Sequence, residues 1–461
     1  MPKFRLALVA LDWIRQKDPA VSLGHGSLLA MLQQNNANDC DMIDSRWAVN
    51  HHSDIRELSR NVLSQILPQR PDVWQLDASS GTRCTSSKSC MIFSDLAAIM
   101  AQRRRCCSVD RRCPMHPRER WRNVTQPLIS LSAATEKRPC LSLPRSGQNQ
   151  QSTVFHGRKF PKFAIKGLHE AGTFDKTLQA DANLDLVPSP FLSDGNDIQP
   201  VIDLNRSFIR WETVRGCRFG CGFCQHRDAK SEPQHLNQGR IRREIEAICQ
   251  SRFNDVAALD PTFNSLSSSY LSVLDQFANK FSGRITLQSR FEMVAPDFLD
   301  RCSRLGALGA RIELEFGLQT IHPLEMIATN RSNSLRKIKR IAPELHARRI
   351  PFAVSLICDL PHQTIASFGE TIAFAERLKP FEIAAYPLML LRGTPMEQKK
   401  HELGLEEAVL SHVDPSIEEL PKERIIEGIP HVVASPTFTR EDWRTMNRMA
   451  RVLQERQASV V

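Results

Sequence analysis

The hydrophobic positions of residues 205–400 follow two alternating periods. Short runs that suit a buried strand, such as ARIELEFGLQT (310–320) and PFAVSLICDL (351–360), are each followed by a segment with apolar residues at helical spacing. Six strand–helix alternations of this kind predict a parallel sheet with right-handed crossovers, either open or curled toward a barrel. In such sheets the reactive loops lie at the carboxyl ends of the strands.

A second α/β pattern occupies the start of the chain, residues 1–78. FRLALVAL reads as a strand, SLGHGSLLAMLQQN (22–35) and SDIRELSRNVLSQIL (53–67) as helices, and PDVWQLD as the start of another strand. We assign the remainder of this N-terminal domain and a linker to residues 151–204. Residues 401–461, which include REDWRTMNRMARVLQERQ, are predicted to form a helical C-terminal extension.

Residues 79–150 break the pattern. This tract holds 13 Lys and Arg against 4 Asp and Glu, and six of the 13 cysteines of the chain. Its composition predicts a disordered insertion or out-of-frame sequence in place of ordered α/β structure. A zinc knuckle built from Cys106, Cys107, Cys113 and His116 is the alternative, although the spacing matches no standard site. The tract also carries +9 of the net charge of +10, so no basic face is implied elsewhere and nucleic acid is not indicated.

Hydropathy excludes a membrane protein, because no window approaches the roughly 18 apolar residues of a spanning helix. The first residues, MPKFRLALVALDW, are interpreted as a strand because Asp12 interrupts the apolar run and no small-residue cleavage site follows. We therefore expect a cytoplasmic protein. In that compartment thiols stay reduced, and grouped cysteines more often bind metal than pair.

The stretch GCRFGCGFC (216–224) places Cys217, Cys221 and Cys224 in one loop after the first strand of the repeating pattern. A disulfide uses two cysteines and a closed zinc site uses four ligands, so three cysteines need another explanation. Three thiolates can hold three irons of a [4Fe–4S] cluster and leave the fourth iron without a protein ligand. The interspersed glycines allow the backbone to wrap such a cluster.

This loop resembles that of the radical S-adenosylmethionine enzymes, whose hallmark is Cys-x-x-x-Cys-x-aromatic-Cys; Phe223 supplies the aromatic position. The resemblance implies a partial (β/α)6 TIM-type barrel over 205–400. It also implies that the open iron chelates S-adenosylmethionine. An electron from a donor such as flavodoxin or ferredoxin would then cleave S-adenosylmethionine to methionine and a 5′-deoxyadenosyl radical. No catalytic residue beyond the cluster ligands is implied.

Further matches to the family lie at the ends of later strands. Together with Phe223 of the loop, they imply the residues that contact the cofactor: Asp260 in LDPTFN, Gln288 and Arg290 in LQSRFEMV, and Glu315 and Gln319 in LEFGLQT. One motif departs from the family pattern. DLPHQT has Asp359 and His362 where Gly-Leu-Pro-Gly-Gln-Thr is usual, which leaves the expected adenine contact there in question.

The N-terminal residues resemble the start of a cobalamin-binding-type, Rossmann-like domain that precedes the barrel in one branch of the family. Its lower-ligand signature, Asp-x-His-x-x-Gly, is missing: HEAG (169–172) has the histidine and glycine, but Gly167 stands at the aspartate position. His25 lies at a helix start and is expected to cap or pack. Cobalamin binding is therefore compatible with the sequence, but the missing signature favours a protein that does not bind it.

The resemblance leaves the substrate open, either a small molecule or a peptide. Bound cobalamin would favour methyl transfer to an unactivated carbon. Without it, hydrogen abstraction leading to rearrangement, cyclisation or oxidation is equally open. The alternative is a catalytically inactive iron–sulfur or zinc-binding remnant of the family.

Overall fold

The computed structural model describes most of residues 200–458 and separate segments of the preceding part. The gaps after residue 200 are 227–232, 266–268, 392 and 411–428. Before it, the described residues are 4–13, 21, 23–36, 40–49, 61–62, 64–69, 73–79, 128–134, 152–155, 158–161, 184 and 187–193. The chain divides into two compact units with the main boundary between Ile202 and Asp203.

The N-terminal unit is built on a four-stranded parallel sheet. Its strands are β1 (Phe4–Trp13), β2 (Cys40–Val49), β3 (Val73–Ser79) and β4 (Leu128–Ala134), in the spatial order β2-β1-β3-β4. This is the strand order of flavodoxin-type doubly wound folds. Helix α1 (Leu23–Asn36) follows β1, and the middle of β1 is fully buried. The predicted incomplete Rossmann-like domain is confirmed.

Two strands of this sheet were not expected from the sequence. Strand β2 lies at an edge of the sheet, and its polar residues Asp41, Asp44 and Arg46 hide the strand pattern. Strand β4 lies inside the Arg/Cys/Ser-rich tract, where LISLSAA alternates large apolar residues with serine. The cysteines of that tract and the HEAG stretch lie outside the described residues. A short antiparallel pair, β5 (Ser152–Phe155) and β6 (Arg158–Pro161), follows.

The second unit contains a six-stranded parallel sheet in the order β14-β13-β12-β11-β10-β7. The strands are β7 (Phe208–Trp211), β10 (Asp255–Ala258), β11 (Arg284–Ser289), β12 (Arg311–Gln319), β13 (Phe352–Cys358) and β14 (Glu382–Pro387). Two short strands, β8 (Val214–Arg215) and β9 (Gln234–His235), form a separate pair. Consecutive strands are neighbours throughout, as in a partial (β/α)6 barrel, so the predicted fold class is confirmed.

A helix follows each strand of the six-stranded sheet. These helices are α2 (Gln238–Gln250), α3 (Ser269–Phe277), α4 (Pro296–Ala307), α5 (Pro323–Ala328), α6 (Leu335–Ala347), α7 (Ile365–Arg377), α8 (Pro395–Gln398) and α9 (Arg440–Ala458). Their first turns carry the expected signals: Asn237 caps α2, Ser334 caps α6, and Thr364 forms a capping box with Ser367 on α7.

The C-terminal extension contributes more than a helical tail. Strands β15 (Glu406–Val409) and β16 (Pro430–Ala434) form an antiparallel pair, and β16 bonds to the chain just after β14 through the Val432 N–H and the Leu388 carbonyl at 3.0 Å. Helix α9 packs on β14, β13 and α7. It therefore serves as the sixth helix of the barrel. In the described part of the chain, no helix has the length and apolar character needed to cross a membrane.

Candidate functional site

One face of the six-stranded sheet is polar and partly accessible. Along β12, Leu314, Phe316 and Leu318 are buried, whereas the alternate residues Glu315, Gly317 and Gln319 are partly exposed. Two polar residues continue this face on the neighbouring strands: Gln288 pairs with Glu315, and Ser355 pairs with Gly317. The face ends at the carboxyl edge of the sheet, where the cysteine loop lies.

The cysteine loop follows β7 and β8. Cys221 is buried, and Cys217 and Cys224 are half-buried. The loop turns at its end through a bond from the Cys224 N–H to the Cys221 carbonyl at 3.1 Å. It begins at Gly216, whose φ of +99° lies in the region that favours glycine.

Asp260, at the end of β10, braces the entrance of this loop. Its carboxylate is buried and accepts bonds from the Thr213 N–H at 2.7 Å, the Val214 N–H at 3.0 Å and the Thr213 hydroxyl. Burial raises the pKa of Asp260 to about 6, although these three hydrogen bonds act to lower it. Both carboxylate oxygens are occupied by the chain itself, so Asp260 positions the loop.

The segment between α5 and α6, residues 329–334 (TNRSNS), contacts the cysteine loop; we call it the bracket segment. The Gly222 N–H donates to the Thr329 carbonyl at 2.7 Å, and the Asn330 side chain donates to the Gly220 carbonyl at 2.7 Å. A Cβ on Gly222 would lie 3.4 Å from the Thr329 oxygen, an ordinary van der Waals distance, so this contact does not itself require glycine. The central part of the loop is thus fixed from one side.

The bracket segment is itself tied to the neighbouring strands. Asn333 donates to the Leu318 carbonyl at 2.6 Å and to the Thr320 carbonyl at 2.8 Å, which are at and just beyond the end of β12. The Ser334 N–H donates to Glu292 at 3.1 Å, beyond the end of β11. Because these bonds join separate strand ends, the cysteine loop is held in a fixed position relative to the polar face of the sheet.

Arg331 is the bracket residue nearest to a cysteine sulfur. Its Nη1 lies 3.5 Å from the Cys221 Sγ, and its Nη2 donates to the Gly317 carbonyl. A Cβ on Gly317 would stand 2.6 Å from Nε2 of Gln319 and 3.0 Å from Nη2 of Arg331. Glycine at 317 therefore makes room for both side chains.

Two buried polar atoms beside Cys221 have no hydrogen-bond partner among the described residues. They are the Arg331 Nε donor and the Gln319 Oε1 acceptor. Gln319 also has a φ of +66°, which is uncommon for a residue other than glycine, and it lies at a β-bulge. Orphaned polar atoms and unusual backbone at the same strand end are features of a ligand site.

Arg290 also lies against the cysteine loop, next to the bracket segment. Its guanidinium is 4.0 Å from the centre of the Phe219 ring and donates to the Ser332 carbonyl at 2.9 Å. Only 7% of Arg290 is exposed. Burial, together with the nearby charge of Arg331, lowers the pKa of Arg290. Arg290 thus stacks on the loop, and its 3.4 Å pair with Glu292 is a minor contact.

Glu325 anchors the helix that leads into the bracket segment, and the sequence analysis missed it. Its buried carboxylate accepts from Thr320 at 2.5 Å, from Ser367 at 2.6 Å and from Gln363 at 3.2 Å. These donors come from the ends of two strands and the start of α7. In the sequence, a glutamate within a short helix gives no signal of burial; only its neighbour Pro323 marks the helix start.

The DLPHQT loop keeps a glycine-like backbone despite its substitutions. Asp359 has a φ of +70° and His362 a φ of +66°. Asp and His are among the non-glycine residues that tolerate this region. Asp359 is fully buried and accepts from the Asn447 side chain of α9 at 3.0 Å. Its carboxylate is therefore occupied by the C-terminal helix.

The structure sorts the predicted site residues into three groups. Cys217, Cys221, Phe223 and Cys224 share the loop, with Arg290 packed against it and Gln319 at the adjacent strand end. Gln288 and Glu315 lie side by side on the polar face. Asp260 lies beneath the loop as a brace. Sequence reasoning missed Arg331, for which the pattern TNRSNS gave no signal.

The donor set is compatible with an iron–sulfur cluster. Among the described residues, no three His, Cys, Asp or Glu side chains converge as the ligands of a single metal ion would. A four-iron cluster does not require that convergence, since each thiolate binds a different iron. The loop's glycines and the orphaned atoms beside Cys221 leave both backbone freedom and unsatisfied polar groups for bound cofactors.

Comparison with known families connects this site to a class of enzymes. The model of the radical SAM superfamily matches residues 211–375, which include the cysteine loop, the polar face and the bracket segment. An uncharacterized protein of Methanocaldococcus jannaschii is 22% identical over 185 residues. That match covers 37% of this chain and 56% of the relative, so the chain spans about half the length of that protein.

Two solved structures are similar over nearly the whole chain. One is the radical S-adenosylmethionine methyltransferase TsrM from Kitasatospora setae, with tryptophan substrate and a SAM analog bound: TM-score 0.61, 11% identity, 97% of this chain and 89% of that one. The other is the cobalamin-dependent S-adenosylmethionine radical enzyme OxsB with aqua-cobalamin: TM-score 0.53, 13% identity, 98% of this chain and 66% of that one. At these identities the likeness is one of fold, and it extends to both units.

Proposed function

We propose that this chain, a member of the radical S-adenosylmethionine superfamily, is an enzyme that reductively cleaves S-adenosylmethionine and directs the resulting radical chemistry at a bound substrate. The observation that carries the proposal is the position of the cysteine loop. It is braced by Asp260 and held by the bracket segment, with unsatisfied polar atoms of Arg331 and Gln319 beside Cys221.

Cys217, Cys221 and Cys224 would hold a [4Fe–4S] cluster, with Phe223 shielding it. When bound, the cluster supplies one electron and S-adenosylmethionine supplies a 5′-deoxyadenosyl radical. The chain's part is to keep the loop fixed, and the bonds from Asn330 to Gly220 and from Gly222 to Thr329 do this. A fixed loop avoids reorganisation when charge is transferred.

Arg331 and Gln319 are suited to hold the polar groups of S-adenosylmethionine. The Arg331 Nε can donate to a carboxylate, and a guanidinium–carboxylate bond is strong in a partly buried site. The Gln319 Oε1 can accept from an ammonium or hydroxyl group. Gln288 and Glu315, side by side on the polar face, would contact the rest of the cofactor or the substrate. The substrate remains an unidentified small molecule or peptide.

Cobalamin-dependent methyl transfer is a second candidate. The likeness of fold to TsrM and OxsB over both units supports it. His25 does not support it, because its ring is buried and its Nε2 lies 3.0 Å from Asp44 on β2. Gel filtration of the chain with hydroxocobalamin, followed by the visible spectrum of the protein peak, tests this. A stoichiometric cobalamin spectrum supports the candidate, and a protein peak without cobalamin absorbance contradicts it.

The leading proposal is tested by anaerobic reconstitution with iron and sulfide, followed by dithionite and S-adenosylmethionine. We expect about four irons per chain and formation of 5′-deoxyadenosine, which mass spectrometry detects. Cys221→Ala should lose the cluster and the product. Arg331→Lys should keep the cluster but weaken S-adenosylmethionine binding roughly tenfold. The matched control, Arg340→Lys on exposed α6, should change neither.

Two results would contradict the proposal. A well-formed cluster without 5′-deoxyadenosine would favour an inactive iron–sulfur remnant. A chain that takes up zinc and no iron would show that the cysteine loop does not hold an iron–sulfur cluster.

A further inference from the structure

Arg331 reaches the sulfur of Cys221 with one nitrogen of its guanidinium. Its Nη1 lies 3.5 Å from the Cys221 Sγ, whereas its Nη2 donates to the Gly317 carbonyl on β12. The backbone of Arg331 is held as well, since its N–H donates to the Met326 carbonyl at 2.9 Å. The guanidinium is therefore fixed between a strand of the sheet and the cysteine loop.

The three sulfurs of the loop have donors of different kinds. The Cys224 Sγ accepts from the His226 N–H at 3.4 Å, and the Cys217 Sγ lies 3.9 Å from the Thr262 hydroxyl oxygen. These two groups are neutral, whereas the guanidinium at Cys221 is a cation, and hydrogen bonds that involve a charged group are the stronger ones. Cys221 is also the buried cysteine of the three, so water screens a charge beside it poorly.

A second guanidinium lies close to the first. Arg290 is buried, and its charge interacts with those of Arg331 and Cys221. The two guanidinium groups repel each other, and Glu292 forms its ion pair with Arg290, at 3.4 Å. Arg331 forms no ion pair with a carboxylate in the described part of the chain. The arrangement therefore leaves positive charge at Cys221 that an anionic group would balance.

We propose that Arg331 raises the reduction potential of the cluster that the cysteine loop would hold, through its bond to the Cys221 sulfur. The inference rests on the proposed function. One-electron reduction adds a negative charge to a group that already carries three thiolates, so a cation at Cys221 stabilises the reduced state more than the oxidised state. Net charge and hydrogen bonds to the sulfurs are two of the factors that set such potentials. Arg331 acts here through Cys221 and is not itself a ligand.

This role is separate from the contact with S-adenosylmethionine proposed above. The bond to the Cys221 sulfur uses Nη1 of Arg331, whereas the nitrogen proposed for the carboxylate of S-adenosylmethionine is Nε, which has no partner among the described residues. A guanidinium has enough donors to serve both groups at once. Because the bond to sulfur does not depend on S-adenosylmethionine, its effect on the potential can be measured without that cofactor.

The test uses the full chain, reconstituted anaerobically with iron and sulfide and kept free of S-adenosylmethionine. Titration with dithionite and redox mediators, followed by electron paramagnetic resonance of the reduced cluster, gives the midpoint potential. Arg331→Met removes both the donor and the charge, and iron per chain should stay at about four. The ratio of reduced to oxidised cluster at a given potential should fall about tenfold, which makes the midpoint more negative by about 59 mV for one electron.

Two further variants separate the charge from the hydrogen bond. Arg331→Lys keeps the charge and should change the ratio by less than about threefold. Arg331→Gln keeps a neutral donor and should fall between the other two variants.

The matched control is Arg218→Met, which removes the same charge from the cysteine loop itself. Arg218 is exposed and donates to the Ser265 carbonyl at 3.0 Å. Because water and salt screen an exposed charge, this variant should change the ratio by less than about twofold.

Three outcomes overturn the proposal. The first is a midpoint potential of Arg331→Met equal to that of the wild type. The second is an equal shift in Arg218→Met, which would assign the effect to the net charge of the loop. The third is loss of iron in all three Arg331 variants, which would make Arg331 a support of the loop only. If only Arg331→Met loses iron, the shift of Arg331→Gln decides.

Failure of the proposed function gives a different result. A wild-type cluster with the expected shift in Arg331→Met, but without 5′-deoxyadenosine once S-adenosylmethionine is added, would contradict the proposed function and leave this inference intact. Normal product with an unchanged potential in Arg331→Met would do the reverse. A wild-type chain that forms no cluster would overturn both.

Discussion

Two buried aspartates lie at the carboxyl ends of strands in the same sheet and have different structural roles. Asp260, after β10, accepts three hydrogen bonds from Thr213 and Val214 at the entrance of the cysteine loop. Asp359, after β13, accepts from the side chain of Asn447 on α9. Burial raises the pKa of Asp260 to about 6 and that of Asp359 to about 7, against the lowering effect of their hydrogen bonds.

The difference lies in the donors. Backbone N–H groups at Asp260 cannot turn away, so that carboxylate fixes the path of the loop that precedes the cysteines. At Asp359 the main donor is one amide side chain, and it joins the barrel to its last helix. A position at a strand end therefore does not by itself make a carboxylate part of the cofactor site. The hydrogen-bond donors around the carboxylate determine its role.

The largest expected effect comes from Asp260→Ala. Removal of the carboxylate leaves the Thr213 and Val214 donors buried without an acceptor, at about 1–3 kcal/mol for each group. The loop should lose its position, and iron per chain should fall from about four to below about one. Iron analysis after reconstitution measures this. The exposed Asp203→Ala is the control, and normal iron content in Asp260→Ala would contradict the role given to Asp260.

Asn447→Leu should destabilise the barrel without affecting the cluster. It removes the amide donor from buried Asp359, which we expect to lower the free energy of unfolding by about 2 kcal/mol. Urea unfolding followed by circular dichroism measures the loss, and iron analysis should give the wild-type value. Loss of iron in this variant would mean that the two aspartates are not separable. Thr445→Ala, at a half-buried site on α9 that does not contact Asp359, is the matched control.

The two pKa values predict a loss of stability as pH rises. Both folded pKa values lie above 3.8, the ordinary value for an aspartate, so the protonated form is favoured in the folded state. The resulting stabilisation is fully present below about pH 4 and is lost as pH rises through about 6 for Asp260 and about 7 for Asp359.

Asp359→Asn isolates one of the two groups. The amide keeps an acceptor for Asn447 and cannot ionise, so the free energy of unfolding should fall less than in wild type between about pH 4 and pH 8, by about 4 kcal/mol. Urea titrations across that range make the comparison. Parallel curves for the two proteins would show that Asp359 does not titrate in this window.

The smallest effect is expected at the start of α9. Thr439 accepts from the Asp442 N–H at 3.2 Å and donates to the Asp442 carboxylate at 2.8 Å, as an N-cap does. Thr439→Ala should lower the unfolding free energy by about 1 kcal/mol, with iron content unchanged. A larger loss than that of Asn447→Leu would place the main anchor of α9 at its cap, not at Asp359.

Much of the fold could be predicted from the chain alone. The buried runs ARIELEFGLQT (310–320) and PFAVSLICDL (351–360) form strands at Arg311–Gln319 and Phe352–Cys358. Both runs have a strong apolar pattern and are each followed by a segment with helical spacing. Strand β2 was missed because an edge strand tolerates Asp41, Asp44 and Arg46. Helix α9 was placed correctly but not its packing, since its partners β13 and β14 are distant in sequence.

The residues of the candidate site likewise fall into those that the sequence predicts and those that only the tertiary structure reveals. The spacing of Cys217, Cys221 and Cys224, and their place after the first strand, follow from the sequence because loop chemistry is local. Arg331, Glu325 and the bracket segment could not be found there. Their roles depend on contacts with residues up to about a hundred positions away, such as the bonds of Arg331 with Cys221 and of Asn330 with Gly220, both across 110 residues.

The sequence by itself determined the parallel α/β pattern, the three-cysteine loop and the polar residues at the strand ends. The tertiary structure decided which of those polar residues are available. It placed Asp260 and Asp359 in structural bonds and left atoms of Arg331 and Gln319 unsatisfied beside Cys221. The physical reason is that hydrogen-bond satisfaction is a property of neighbours in space, and the sequence specifies neighbours only along the chain.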